Sequence, residues 1–304
     1  MPDKKLLIHI GYHKTASTFL QEKVFSNQQN GFYTQWSRSD YYDKLILVNP
    51  FSFDGVQTRS FFEPGIREAD QKSLTPVISE EAFSGNIYQG GYNDKSLAER
   101  LQSTFPEAKI LIIIREQSSI IKSIYQERIR SSLAVSIQDF LEQPEPTTGF
   151  NPWFKLEYLE YHWLIAHYQN LFGRDNVLVI PYEMLKHQKS EFLDKISIFS
   201  DADICHDLSK QTVNKGYFAA TLALKRWSNI FAPKTIIPNN TRYQKINNSL
   251  FYKINQIIPS SLNNKVEKQL INYIKQRIQG FYRQSNQKTS ELTGLDLNSY
   301  GYEI

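Results

Sequence analysis

The sequence predicts an α/β layered fold: three layers, with a central parallel β-sheet between helices. Three observations carry this. Short apolar runs alternate with helix-spaced segments from Leu6 to Ser200. The run Lys109–Ile114 is apolar on both faces, as a central parallel strand must be. The loops richest in chemistry each follow such a run, where parallel sheets place their ligands.

The elements follow in chain order. Leu6–Ile10 is a β-rich run stopped by Gly11, which lets the backbone turn sharply. Thr15–Val24 carries Phe19, Leu20 and Val24 on one helical face, with Thr15 or Ser17 as the cap. Pro76–Ser79 is a second strand, followed at once by Glu80 and Glu81. Lys95–Phe105 is helical and Pro106 ends it. After the Lys109–Ile114 strand, Gln117–Arg130 places Ile120, Ile121, Ile124 and Tyr125 on one helix side. A Pro/Gly-rich break, Gln143–Pro152, precedes a long helix, Trp153–Phe172, closed by Gly173. Val177–Ile180 is a strand and Tyr182–Ser200 a helix; from Tyr217 the chain is mostly helical, with good apolar spacing over Asn263–Phe281.

Composition bounds the function. The 304 residues are 40% hydrophobic and 22% charged, enough apolar surface for a real core. We expect one domain over 1–304, with its core at about 5–216 and a helical part at about 217–304. The net charge of +4 suits a polyanionic ligand but is too weak to indicate nucleic acid, and none is expected. The single cysteine, Cys205, forms no internal disulfide, and no Cys/His spacing is zinc-like, so no metal is expected. No run reaches the length of a membrane span. The expectation is a soluble, cytoplasmic protein without a transmembrane segment.

Gly11-Tyr12-His13-Lys14-Thr15-Ala16-Ser17-Thr18-Phe19 joins a strand to a helix. Free N–H groups at a helix start attract phosphate or sulfate, and Lys14 adds a mobile charge. This is not a Walker A loop, because the lysine comes three residues after the only glycine. Arg115 ends the Ile110–Ile114 run and Ser123 lies eight residues on. An arginine there forms bidentate pairs with phosphate, and a serine adds one hydroxyl.

These two motifs resemble the two cofactor grips of the PAPS-dependent sulfotransferase superfamily, in its bacterial carbohydrate-type (heparan/Golgi sulfotransferase-like) branch. The first is similar to the family's Lys-[Ser/Thr]-Gly-Thr-[Thr/Ser] loop, with Ala16 where glycine is usual. Weaker echoes are Val77–Glu81, Leu178–Glu183, Val213–Gly216 and Gly294–Tyr302. The resemblance implies a P-loop nucleotide-kinase-like sulfotransferase fold and PAPS as co-substrate. Gly11, Lys14, Thr15, Ala16, Ser17 and Thr18 would hold the 5′-phosphosulfate, with Phe19 near the adenine. Arg115 and Ser123 would hold the 3′-phosphate, and Asn214, Lys215 and Gly216 would close over it.

The implied reaction is in-line transfer of a sulfuryl group to a hydroxyl or amine of a carbohydrate or other hydroxylated acceptor. Lys14 would stabilise the departing charge. Glu81, Glu80 and His13 are the candidate bases, Glu81 ahead of Glu80; adjacent residues on a strand point opposite ways, so one of the two faces the cleft. Two other readings stand beside this one, a nucleotide kinase-like phosphotransferase and a non-catalytic nucleotide-binding protein. The stretches Gly31–Tyr42 and Ser84–Tyr92 are expected to shape the acceptor pocket.

Overall fold

The computed structural model describes residues 4–87, 91–142, 154–205, 217–231 and 242–304. They divide into two compact units: one takes the described residues of 4–116, 154–205 and 282–304, the other those of 117–142, 217–231 and 242–281.

The first unit is built on five parallel strands: β1 (Leu7–His9), β2 (Phe32–Tyr33), β3 (Thr75–Ser79), β4 (Lys109–Ile114) and β5 (Val177–Pro181). Their order across the sheet is β2-β3-β1-β4-β5. The register aligns Leu7 with Val77 on one side and with Lys109 on the other. Side chains alternate across a strand. Leu7, Val77, Leu111 and Ile113 therefore point to one face, where they pack with Leu20, Phe192 and Ile196. Ile8, Ile78, Ile110, Ile112 and Ile114 take the other face and are fully buried. The helix Tyr161–Phe172 packs on β4 and β5 there, and Gly55–Gln71 packs on β3. Both faces are covered, which is why these strands read as unbroken apolar runs. The three-layer α/β expectation holds.

The second unit is helical among its described residues. Gln117–Arg130, Ala219–Asn229 and Ser260–Ile278 pack on one another, and Arg242–Ile257 lies against Ala219–Asn229.

Several boundaries differ from the sequence expectation. The first helix begins at Ser17, not Thr15, and neither Thr15 nor Ser17 caps it by a side-chain bond: the capping position is Ala16. Thr15 Oγ1 donates instead to the carbonyl of Tyr12. From Leu20 to Phe25 this helix widens to i→i+5 pairing, closed by Ser26 N on Gln21 O. The helix expected from Trp153 starts at Tyr161, after a single turn at Leu156–Leu159; Trp153 lies outside the described residues. The helix expected over Tyr182–Ser200 is broken at Gln188, giving Tyr182–His187 and Lys189–Ser200. The helix expected over Asn263–Phe281 runs Ser260–Ile278, with Pro259 before it and Gly280 after it, and a further helix, Arg283–Thr293, follows. The short edge strand β2 and the helix Gly55–Gln71 were not foreseen. β2 is only two residues long, and Pro64 inside the helix reads as a breaker.

Candidate functional site

Three strand ends meet around the loop after β1. Beyond His9 the chain stays paired with β4, through Ile10 N on Leu111 O at 3.0 Å and Tyr12 N on Ile113 O at 3.2 Å. On its other edge, Glu80 N donates to His9 O at 3.1 Å. The loop 10–16 is thus flanked by Glu80–Ser84 after β3 and by Arg115 after β4.

Gly11 is needed for space rather than for a turn, because the chain is still extended there. A Cβ at Gly11 would lie 2.6 Å from His9 Nε2 and 3.1 Å from Thr15 Oγ1. His9 cannot swing away readily. Its ring is fully buried, and Nδ1 is hydrogen-bonded to Ser79 Oγ at 2.8 Å. Burial holds its pKa down at about 4, against a smaller upward pull from Glu81, so the ring is neutral at neutral pH. Gln21 donates to the same serine's Oγ and carbonyl, at 3.2 and 3.1 Å. The network fixes the floor under the loop.

The turn itself lies at Lys14 and Ala16, whose φ values are +69° and +74°. Two left-handed residues around Thr15 curl the backbone ahead of the helix. Thr15 is buried and bonded inward to Tyr12. Ser17 is 3% exposed, and among the described residues its Oγ has no hydrogen-bond partner. A buried hydroxyl left unpaired costs on the order of 1–3 kcal/mol, a cost that an anion in the loop would remove. Thr18 is exposed at the cleft rim. Phe19 is half-buried against the apolar core, with Lys189 Nζ 5.0 Å from its ring centre.

Arg115 reaches this loop directly. Its Nη1 donates to the Lys14 carbonyl at 2.8 Å, and its guanidinium lies 4.7 Å from the Tyr182 ring centre. The backbone around it is held as well. Tyr161 Oη donates to Arg115 O at 2.6 Å, and Glu116 N donates to Glu183 Oε1 at 3.2 Å. Tyr302 Oη donates to the other oxygen of Glu183, which ties the C-terminal segment to this corner. Burial raises the Glu183 pKa above its usual range.

Ser123 is half-buried on the helix Gln117–Arg130, in the second unit. Asn214, Lys215 and Gly216 lie outside the described residues.

Beside the loop is a cleft of about 310 Å³, wholly within the first unit. It is lined by Thr18, Gln21 and Phe25, by Thr34, Trp36, Arg38 and Tyr41, and by Ser79, Glu80 and Glu81. The two glutamates differ sharply. Glu80 is 2% exposed and makes a bidentate pair with Arg38, Nε to Oε2 at 2.9 Å and Nη2 to Oε1 at 3.0 Å. The same carboxylate caps Ala82 N at 3.2 Å. Burial raises its pKa, with Arg38 pulling the other way. Glu81 is half-buried, lines the cleft, and has no ion-pair partner among the described residues. His13 is held at about pKa 4, first by burial and then by Arg38 and Lys14, against Glu81. A ring whose conjugate acid is this strong is a weak base and takes up protons poorly at neutral pH.

Arg38, Trp36 and Tyr41 were not named from the sequence, although Gly31–Tyr42 was expected to line an acceptor pocket. A signal for Arg38 was present. Ser37-x-x-Asp40 is a capping box, and both of its reciprocal bonds form, so a helix starting at Arg38 was readable. That cap aims Arg38 across the cleft toward Glu80.

Comparison with known proteins returns structures only. No family model matches the sequence, and no curated protein does. Similar solved structures include a sulfotransferase from Alicyclobacillus acidocaldarius, 16% identical, covering 80% of this chain and 99% of that one, with a TM-score of 0.49. The sulfotransferase domain of the curacin biosynthetic pathway is 12% identical, covers 81% and 97%, and has a TM-score of 0.40. Mouse sulfotransferase SULT7A1 complexed with PAP is 14% identical, covers 96% and 90%, and has a TM-score of 0.38.

Two outcomes follow from this geometry. Ala16→Gly removes a side chain from a left-handed position and is expected to stabilise the protein by up to about 1 kcal/mol, read as a raised denaturant midpoint. Arg38→Met leaves the Glu80 carboxylate buried without its cation. The expected loss is about 1–2 kcal/mol, less than for a fully buried pair because Arg38 is 67% exposed. The Glu80 pKa is raised in the folded state and rises further in this variant, so its ionised form is the costly one. The deficit in Tm should therefore widen as pH rises through that pKa toward neutrality, and narrow in acid.

Proposed function

We propose that this chain is a PAPS-dependent sulfotransferase, moving a sulfuryl group to a hydroxyl or amine of a carbohydrate or small-molecule acceptor. One observation carries the reading. The loop that resembles the phosphosulfate grip and the arginine that resembles the 3′-phosphate grip are in contact, through Arg115 Nη1 on the Lys14 carbonyl. The unpaired, buried Ser17 hydroxyl in the same loop supports an anion there.

PAPS, when bound, supplies the activated sulfuryl group and leaves as 3′,5′-ADP. The chain's own residues supply the rest. The free N–H groups at Ser17–Phe19 and the Lys14 ammonium would counter negative charge on the donor. Arg115, oriented by Tyr182 and the Lys14 carbonyl, would bring its guanidinium charge to a second phosphate. The resemblance assigns Ser123, Asn214, Lys215 and Gly216 to the same phosphate. The acceptor would enter the cleft beside Thr18. Glu81 takes its proton there, because Glu80 is engaged by Arg38 and Ala82, and His13 is a weak base. Gln21, Thr34 and Trp36 give the cleft the mixed polar and aromatic lining that suits a hydroxylated molecule. Single-domain organisation over 1–304, with a cytoplasmic enzyme working without metal, belongs to the same reading.

The test is transfer of labelled sulfate from PAPS to a panel of sugars and small alcohols. Glu81→Gln is expected to lower turnover by roughly a hundredfold or more, and Lys14→Met likewise, both with unchanged melting. Glu80→Gln should cost less than about tenfold, since its role is to hold Arg38. Thermal stabilisation by Mg²⁺-ATP and not by 3′,5′-ADP would point instead to a phosphotransferase. Binding without transfer on any acceptor would point to a non-catalytic nucleotide-binding protein.

A further inference from the structure

The helical unit carries a surface that the nucleotide chemistry does not use. Between Thr212 and Phe281 the sequence has eleven lysines and arginines and a single acidic residue, Glu267. The whole chain has 35 basic and 31 acidic residues, so everything outside this stretch is net acidic. Such asymmetry marks a surface for an anionic partner.

The same stretch exposes large apolar side chains. On Ala219–Asn229 and its continuation, Leu224, Trp227 at 63% exposure and Phe231 at 80% form one set, with Ile230 exposed outside it. On Arg242–Ile257, Ile246, Leu250 and Ile257, the last at 79%, form the matching set, with Tyr252 exposed outside it. The spacings, i, i+3, i+7 and i, i+4, i+11, each make one row along a helix.

The two rows emerge on one side of the helix pair. The helices run antiparallel: Phe218 N and Thr221 Oγ1 bond to Asn255 Oδ1 at 2.6 and 2.7 Å, whereas Ser228 Oγ meets Asn247 at 3.2 Å. Lys225, bonded to Asn248, lies between them. At about 100° per residue, Leu224, Trp227 and Phe231 lie roughly 100° round from the Thr221–Lys225–Ser228 contact line. Ile246, Leu250 and Ile257 lie roughly 130° round from the Asn247–Phe251–Asn255 line, in the same rotational sense. In antiparallel helices, equal senses of rotation put both rows on the same side. Lys253, exposed, stands between Leu250 and Ile257 within its row.

We infer that this face of the helical unit lies on an anionic lipid bilayer. Trp, Phe, Leu and Ile in a row on basic helices is the composition of helices that rest in the headgroup region. Acidic lipids add attraction for each nearby lysine or arginine. A second copy of the chain fits worse, because it would bring the same excess of positive charge to the contact. No helix among the described residues is long and apolar enough to cross a membrane, so the contact is one of lying on the surface. The inference does not depend on the sulfotransferase reading.

The experiment is flotation of the full chain with vesicles of roughly two parts phosphatidylcholine to one part phosphatidylserine, against phosphatidylcholine alone, at low and physiological salt. Trp227 fluorescence, isolated by difference with Trp227→Phe, reports insertion. The expected result is binding to the acidic vesicles only, with a blue shift of the Trp227 emission. The triple variant Trp227→Ser, Phe231→Ser, Leu250→Ser should bind at least tenfold more weakly with unaltered melting, since all three side chains are exposed. Lys253→Glu should also weaken binding. The proposal is overturned by no binding to acidic vesicles, by equal binding of the triple variant, or by vesicle-free dimerisation in sedimentation that the triple variant abolishes, which makes a second copy the occupant. Binding to heparin without any vesicle-induced shift of Trp227 likewise overturns it in favour of a polyanion.

Discussion

The candidate site depends on a three-residue strand hydrogen-bonded along both edges. β1 runs parallel to β3 on one side and to β4 on the other, so its C-terminal loop opens between two further strand ends. That placement gathers Lys14, Glu80, Glu81 and Arg115, which are up to about a hundred residues apart in sequence, at one edge of the sheet. It is enforced by burial. Leu7 and Ile8 have no exposed surface, on opposite faces, and a slip of one residue would exchange the two faces. Pairing with β4 continues through Tyr12, which keeps Gly11 extended and delays the turn to Lys14 and Ala16.

From that constraint the charges divide by depth. Beneath the loop, the His9 ring is neutral and locked to Ser79. In the loop stand Lys14 and the helix start; beside it, Arg115 is spent partly on the Lys14 carbonyl and partly on the Tyr182 ring. Across the cleft, Arg38 neutralises Glu80, leaving Glu81 as the carboxylate of that pair not tied to an arginine. The pair also resolves a difficulty in the sequence. Two adjacent glutamates at a strand end repel each other when both are ionised, and an arginine from a distant turn lets them coexist.

Much of this was legible in the sequence because it is local. The strands Lys109–Ile114 and Val177–Pro181 are apolar on both faces and could hardly be read otherwise. Lys14 and Arg115 were identifiable from their positions after strands. What escaped was set by tertiary context. Thr15 looked like a cap, but bonds inward to Tyr12, because the left-handed Ala16 takes the capping position. The helix break at Gln188 has no proline or glycine to announce it. The helix start at Arg38 was readable, but its pairing was not, because Glu80 is forty-two residues away. The exposed rows on the C-terminal helices have ordinary amphipathic spacing, and only burial distinguishes an outward row from a core row.

The central claim is that the Lys14 loop and Arg115 together form a site for a nucleotide bearing phosphates at both the 5′ and 3′ positions. Calorimetric titration of the full chain with 3′,5′-ADP and with 5′-AMP tests it directly, because the two ligands differ only in the 3′-phosphate. The account predicts that 3′,5′-ADP binds at least about tenfold tighter, a difference of about 1.4 kcal/mol, and that Arg115→Met removes most of that preference. Equal affinity for the two nucleotides, or a preference that survives Arg115→Met, would contradict it.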